Sequence, residues 1–220
     1  MVKLGNQKNV FWEAAFLTLV IFIFGIFIGI AFESNKIDEI NEYYAISEIS
    51  LMDIFIFNSI LNFEDIRCAD LINANVEFAD KIYEEAYVLE QYEDSGKLSD
   101  NIRLAHDKYD ILRTFLWVNG IETSKKCESA SSTVVYLYEY EPEDLTKKAT
   151  QKVWSRILLD LKQKEGNGIL LIPIATDNDL VSLNSKLKDL NITEFPVVVI
   201  DDKHIINELS SVEDLEKYLD

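Results

Sequence analysis

Cysteine, histidine, proline and glycine are scarce in this sequence, with two, two, three and seven of them among 220 residues. So few prolines and glycines leave most of the chain free to form regular secondary structure. Cys68, Cys127, His106 and His204 lie far apart, and none of them has a partner at zinc-site spacing. The calcium-loop pattern is also missing. We therefore predict no metal site and no cofactor, and we expect both histidines to be ordinary structural or surface residues.

Basic residues are too few to balance the acidic ones, because 21 Lys and Arg against 39 Asp and Glu give a net charge of −18. Such a chain without a basic patch repels a phosphate backbone, which argues against a nucleic-acid partner. We interpret the charge as a source of solubility. No internal repeat is visible, which argues against a repeat architecture.

One long apolar run is present, since residues 14–32 carry no charged side chain. As a helix the run would be about 28 Å long, which matches the hydrocarbon core of a bilayer. Lys3 and Lys8 precede it, whereas acidic residues beginning with Glu33 follow it. The positive-inside rule then predicts a single anchor in the cell membrane, with a cytoplasmic N-terminus and the bulk of the chain outside.

A cleaved secretory signal is the alternative interpretation, because Gly29-Ile30-Ala31 has the pattern of a processing site. The run is longer than a typical signal core, so we favour the anchor, and both interpretations export the remainder. Gly25 and Gly29 form a small-xxx-small pair that could contact another membrane helix.

Apolar residues recur at helical spacing through residues 33–128, which we predict to be a separate extracytoplasmic helical domain. A helix over 37–63 would continue from the membrane span and bury its apolar residues, Met52, Ile54, Phe55, Ile56, Phe57, Ile60 and Leu61. The next helix would bury Ile66, Ala69, Asn73, Val76, Ala79, Tyr83, Ala86 and Val88 or Leu89. The last, capped by Ser99 or Asp100 and ending at Asn119-Gly120, would bury Ile102, Ala105, Tyr109, Leu112, Phe115 and Leu116. We expect these helices to pack as a small bundle.

The periodicity changes in residues 129–220, the predicted third segment after an anchor over 1–32. A β-branched and aromatic run over 133–140 predicts a strand, and Pro142 suits the first turn of the helix that follows. Further strands are predicted over 169–175, 197–200 and 204–206, with helices over 178–190 and 212–219. The fold class is therefore α/β, with a central mixed sheet flanked by helices.

The order β-α-β-α-β-β-α, with Phe195-Pro196 directly before the third strand, resembles the thioredoxin fold over about 85 residues. The resemblance implies a cis-proline at Pro196. It also implies a reactive Cys-x-x-Cys at the start of the first helix, where this sequence has Tyr140-Glu141-Pro142-Glu143-Asp144. The resemblance therefore predicts the fold without the family's dithiol chemistry.

The same resemblance implies a binding surface, because the residue before the cis-proline leaves backbone groups free to pair with an extended peptide. We predict that Glu194, Phe195 and Pro196 form this surface, with Tyr138, Tyr140 and Pro142 beside them. The alternative is that these aromatic residues close the domain against the helices.

The leading hypothesis is a membrane-anchored, non-catalytic thioredoxin-like protein that binds an unidentified protein or peptide, as an accessory subunit of an export, folding or glycosylation assembly. A thiol-disulfide oxidoreductase using Cys68 and Cys127, or a structural spacer, is the alternative. We expect these cysteines to form a structural disulfide. Asn191-Ile192-Thr193 is a candidate N-glycosylation site on the exported side.

Overall fold

The computed structural model describes residues 7–61, 67–93, 100–127, 131–140 and 142–219. The contacts divide the chain into two compact units, Met1–Ala45 and Ile46–Asp220. The described part is a mixed α/β protein. Its elements are α1 (Gln7–Leu61), α2 (Cys68–Glu93), α3 (Asp100–Lys126), β1 (Ser132–Tyr138), α4 (Leu145–Glu165), a short 3₁₀ turn (Gly166–Gly168), β2 (Ile169–Ala175), α5 (Val181–Asp189), β3 (Val197–Ile200), β4 (His204–Ile206) and α6 (Val212–Glu216).

The first unit contains the apolar part of α1. The segment Val10–Ala31 is, among the described residues, the one helical stretch long and apolar enough to cross a membrane, and its side chains are exposed. The hydroxyl of Thr18 donates to the carbonyl of Ala14 over 2.9 Å, so this polar group is satisfied within the helix. The space around Gly25 and Gly29 is open, and their contact with another helix stays a prediction.

The second unit is built on a four-stranded sheet with strand order β2-β1-β3-β4. β1 runs parallel to β2 and antiparallel to β3, and β3 pairs antiparallel with β4. Asp201 and Asp202, both with left-handed backbone, form the tight turn between β3 and β4. The peptide bond between Phe195 and Pro196 is cis, as predicted.

Helices cover the sheet on both faces. Trp154, Leu158 and Leu161 of α4 pack in one apolar cluster with alternate residues of β1 and β3 and with Leu215 of α6. α2 packs against α3, and both contact β2. The contacts place α2, α3 and the sheet in one compact unit. A domain boundary between residues 128 and 129 stays a prediction.

A buried polar network joins α2 to α3. Asn75 donates from Nδ2 to Thr123 Oγ1 over 2.9 Å, and it accepts at Oδ1 from Asn119 Nδ2 over 2.7 Å. Since buried amides and hydroxyls are costly without partners, this network fixes how the two helices align. The disulfide between Cys68 and Cys127 joins the start of α2 to the residue after α3, with a Cα separation of 5.7 Å. The predicted disulfide is therefore confirmed.

Three details of the helical prediction are wrong. Met52, Phe55 and Ile56 are exposed, although Phe55 does contact Phe115 at 6.0 Å between ring centroids. The predicted α2 stripe is right at Val76 and Ala79 but wrong at Ala69, Asn73 and Tyr83, because the buried face is shifted. Its buried members are Leu71, Asn75, Val76, Phe78, Ala79 and Ile82, whereas Ala69, Asn73 and Tyr83 are exposed. Ile66 lies outside the described residues, and so do the side chains of Ile54, Phe57, Ile60, Leu61, Ala86, Val88, Leu89, Ile102 and Ala105.

The third error is the end of α3, which continues past Asn119-Gly120 to Lys126. A Cβ added at Gly120 would lie 2.9 Å from both Leu170 Cδ2 and Thr133 Oγ1. Gly120 is therefore the point where α3 lies directly on the sheet, rather than a helix terminator.

We expect Gly120→Ala to lower the free energy of unfolding by about 1–2 kcal/mol, because overpacking a buried contact exceeds the gain in helix propensity. Urea denaturation would measure the loss. Gly168→Ala is the matched control, because its added Cβ would meet Glu165 at an ordinary 3.8 Å. A Gly120→Ala protein as stable as the wild type would contradict the close approach of α3 to the sheet.

Candidate functional site

A groove of about 440 Å³ lies beside the carboxyl-terminal halves of β1 and β2, between α3 and α4. Ligands of open α/β sheets bind outside the carboxyl ends of parallel strands, next to the point where the strand order reverses. Here β1 and β2 are the parallel pair, and the groove lies on their side of the sheet, because no residue of β3 lines it. We call this surface the tyrosine groove, after Tyr83, Tyr109, Tyr136, Tyr138 and Tyr140, which line it.

Asp110 is a buried carboxylate on α3, next to the groove. Its Oδ1 accepts from the Ala175 amide over 3.1 Å, and its Oδ2 accepts from Asn178 Nδ2 over 2.7 Å. Burial raises the pKa of Asp110 to about 6, although the charge of Arg113 acts in the opposite direction. Asp110 therefore links α3 to the end of β2 by hydrogen bonds. Burying its charge still costs free energy.

Arg113 lies one turn further along α3 and lines the groove, with only 5% of the residue exposed. Its guanidinium lies 4.2 Å from the centroid of the Tyr109 ring, a cation–π contact. Its Nη1 is 3.6 Å from Asp110 Oδ1, which is longer than a hydrogen bond. Burial disfavours the Arg113 charge, but Tyr109, Tyr138 and Asp110 together outweigh it and raise the pKa, with the Tyr138 side chain also hydrogen-bonded to the guanidinium.

The tyrosines of β1 form a stacked pair. The Tyr136 and Tyr138 rings lie 5.3 Å apart at an interplanar angle of 14°. Tyr136 donates its hydroxyl to the Gln151 carbonyl over 3.1 Å, and burial raises the pKa of this hydroxyl. Further along the chain, the Tyr140 ring lies 4.2 Å from that of His106 on α3. The aromatic lining is thus held in place by both helices.

The α4 wall is fixed to the segment after β1. Gln151 donates from Nε2 to the Glu139 carbonyl over 2.8 Å and accepts from the Glu139 amide at Oε1 over 3.2 Å. Lys147 Nζ donates to Glu139 Oε1 over 2.6 Å. Glu139 is therefore partly neutralised, while Lys148 and Lys152 of the same helix line the groove and are exposed.

The outer edge of β2 offers few backbone groups to another strand. Ala175 donates its amide to Asp110, the Ile169 carbonyl accepts from Lys162 Nζ over 3.0 Å, and Pro173 has no amide. Since an edge with occupied or missing backbone groups resists strand addition, the groove is suited to hold a ligand through side chains.

The structure brings three of the predicted binding residues into the groove and leaves three outside it. Tyr138, Tyr140 and Pro142 line it. Leu137 pairs with Val197, so the segment before β3 lies at the same end of the sheet. Within that segment, Glu194 is exposed, whereas Phe195 and Pro196 are half-buried. These three residues do not line the groove, and their role in binding stays a prediction.

The remaining candidate residues lie elsewhere. His204 packs against Tyr218 at 4.8 Å between ring centroids. Asn191 is exposed, with a left-handed φ of 54°, so its side chain is accessible to a modifying enzyme. In the described part of the chain, no group of three or more His, Cys, Asp or Glu side chains could hold a metal ion.

Sequence reasoning missed Asp110, Arg113, Lys148, Gln151 and Lys152. One signal was available for the first two, because they interrupt the apolar stripe of α3 with charged side chains one turn apart. A charged pair inside a predicted buried face indicates either a partner or a site. The residues of α4 carried no such signal.

Comparison of the chain with protein-family models, with curated proteins and with solved structures found no match. The proposed function therefore rests on the geometry of the groove.

Proposed function

We propose that this protein is anchored in the cell membrane by a single helix, with its N-terminus in the cytoplasm and the remainder outside. We propose that the exported part binds a protein or peptide partner in the tyrosine groove without catalysing a reaction. Such a protein would act as an accessory subunit of a larger export, folding or glycosylation assembly.

The observation that carries this proposal is the tyrosine groove itself. It is concave, lies beside the carboxyl-terminal halves of the parallel strands β1 and β2, and is lined by five tyrosines among the described residues. Tyrosine supplies a large contact area and a polar tip at a small entropic cost, which is why it is enriched where proteins bind one another. The surrounding hydrogen bonds hold the groove in shape before a partner arrives, which lowers the cost of binding.

We also propose that residues 129–220 form a thioredoxin-like domain. The element order β1-α4-β2-α5-β3-β4-α6 supports this assignment, together with the mixed sheet and the proline before β3. In that family the partner is held at the end of the sheet where β1 ends and β3 begins. Tyr138, Tyr140 and Phe195 lie at this end.

The cysteines favour binding over redox catalysis. Both belong to one disulfide, and Cys127 is buried with 3% exposed. At the start of α4, Asp144 caps the helix by accepting from the Thr146 amide over 2.7 Å. A carboxylate at this position cannot attack a disulfide. An oxidoreductase would therefore have to use the Cys68–Cys127 bond that joins α2 to α3.

The disulfide also supports the proposed compartment, because disulfides persist in oxidising surroundings outside the cytoplasm. The apolar segment Val10–Ala31 and the lysines that precede it are consistent with that topology.

The test is recovery of a partner from solubilised membranes with the affinity-tagged full-length protein. We expect Tyr140→Ala to lower recovery about tenfold or more, as for a residue at the centre of an interface. Phe195→Ala, outside the groove, tests separately whether the binding surface extends to the segment before β3. Tyr218→Ala is the matched control, because Tyr218 also packs against a histidine but lies outside the groove.

Equal recovery by Tyr140→Ala and wild type, with both proteins folded, would contradict the proposed binding surface. An equal loss in the Tyr218→Ala control would contradict it as well, since the effect would then not be specific to the groove.

A further inference from the structure

We propose that the partner presents an acidic segment to the tyrosine groove, with one carboxylate bound to Arg113 and others facing Lys148 and Lys152. This inference rests on the proposed function and specifies the chemistry of the partner. It runs against the expectation from bulk charge, because a chain with a net charge of −18 would attract a basic partner.

The charge of the groove differs in sign from that of the whole chain. Its described lining contains three permanent cations, Arg113, Lys148 and Lys152, and one carboxylate, Glu139. Glu139 is already bonded to Lys147. The described lining therefore carries more positive than negative charge on an acidic protein, with Asp110 beside Arg113 and Asp177 beside Tyr140 as the nearest further carboxylates. Local charge influences what binds in a cleft.

Arg113 is the group at the site that is best placed to hold an anion. Both oxygens of Asp110 already accept shorter hydrogen bonds, from the Ala175 amide and from Asn178, so Asp110 satisfies Arg113 only in part. The Tyr138 side chain also hydrogen-bonds to the guanidinium, and Arg113 Nε, which has no hydrogen-bond partner among the described residues, is fully buried. A buried guanidinium whose donors are only partly paired binds a carboxylate strongly where an incoming side chain reaches it.

The shape of the site favours side chains over an added strand. The occupied edge of β2 disfavours backbone pairing, and a volume of about 440 Å³ holds a few side chains of an extended segment. The tyrosines then pack against the apolar parts of that segment, while Lys148 and Lys152 face its acidic groups at the exposed rim.

The test uses the full-length protein in nanodiscs and a fluorescein-labelled, end-capped hexapeptide of alternating Glu and Phe. A second peptide has Gln in place of every Glu. We expect the Glu peptide to bind about tenfold or more tighter in fluorescence anisotropy, and its affinity to fall as salt is added. Equal affinity for the two peptides would overturn the inference.

The charged residues of the groove are tested with two double variants. Lys148→Gln with Lys152→Gln should weaken binding of the Glu peptide about fivefold, the range of two partly exposed charge contacts. Lys125→Gln with Lys188→Gln removes the same charge from exposed sites outside the groove and should have no effect. Equal losses in the two double variants would overturn the site. Arg113→Gln should abolish binding of the Glu peptide. If that variant does not fold, the lysine variants alone test the site.

Free glutarate separates a peptide site from a site for a small carboxylate. We expect glutarate to displace the Glu peptide only at far higher concentration, because it lacks the apolar contacts with the tyrosines. Displacement at equal concentration would overturn the peptide assignment. If Tyr140→Ala lowers partner recovery while the Glu peptide shows no preference, the proposed function stands and this inference fails.

Discussion

Removal of the disulfide, by Cys68→Ala together with Cys127→Ala, is expected to lower the free energy of unfolding by about 4 kcal/mol. The two cysteines are 59 positions apart in the sequence. Opening a loop of this length raises the conformational entropy of the unfolded chain, and in the chain-entropy account this lowers the free energy of the unfolded state by about that amount. A loss of this size is a large fraction of the stability of an ordinary domain.

The measurement is urea denaturation of the second unit, Ile46–Asp220, within the full-length protein. Dithiothreitol is the internal control, because the reduced wild type should unfold at the same urea concentration as the double variant, while the double variant itself should not respond. A difference below about 1 kcal/mol between oxidised wild type and variant would show that α2 and α3 are held together without the bond.

The second large effect is a pH dependence that originates at Asp110. The pKa of this carboxyl is about 6 in the folded protein, against 3.8 for an unperturbed aspartate. The folded state therefore binds a proton more tightly than the unfolded state. The stability from this difference is complete below about pH 4 and is lost as the pH rises through 6, for a total of about 3 kcal/mol.

We therefore expect Asp110→Asn to remove this dependence. The stability of the wild type relative to the variant should fall by about 3 kcal/mol between pH 3 and pH 7, in urea denaturation at a series of pH values. Arg113, His106 and Asp177 also act on the pKa of Asp110 and remain in both proteins. Asp189→Asn, at an exposed position on α5, is the control for loss of one carboxylate. Parallel curves for wild type and Asp110→Asn would contradict a raised pKa.

The strands could be predicted from the sequence because their signals are local. β2, β3 and β4 have the predicted bounds, since each is an apolar or β-branched run that ends at turn residues. The β3–β4 turn follows the same logic, because Asp tolerates the left-handed backbone seen at Asp201 and Asp202.

The helices were harder to predict because their signals depend on tertiary contacts. Gly120 ends a helix by local rules, yet here it lets α3 approach Leu170 and Thr133. Asn75 belongs to the buried face of α2 only because Asn119 and Thr123 lie opposite it. A pattern scored by hydrophobicity therefore placed the α2 stripe incorrectly.

The site could be predicted only in part, because some of its residues are brought together only by tertiary contacts. Tyr138, Tyr140 and Pro142 follow β1 in the sequence, so a resemblance based on element order could locate them. Arg113 enters the groove from α3 and Lys152 from α4, and only the packing of those helices around the sheet brings the two residues together.

Site-specific photo-crosslinking in intact cells tests the central claim most directly. A photoreactive phenylalanine analogue would replace Lys152 in the groove or, as a control, Lys188 on the exposed surface of α5. A partner-binding groove predicts one crosslinked species of fixed mass from position 152 and none from position 188. No crosslinked species from position 152, or the same species from both positions, would contradict the claim that the tyrosine groove binds a partner.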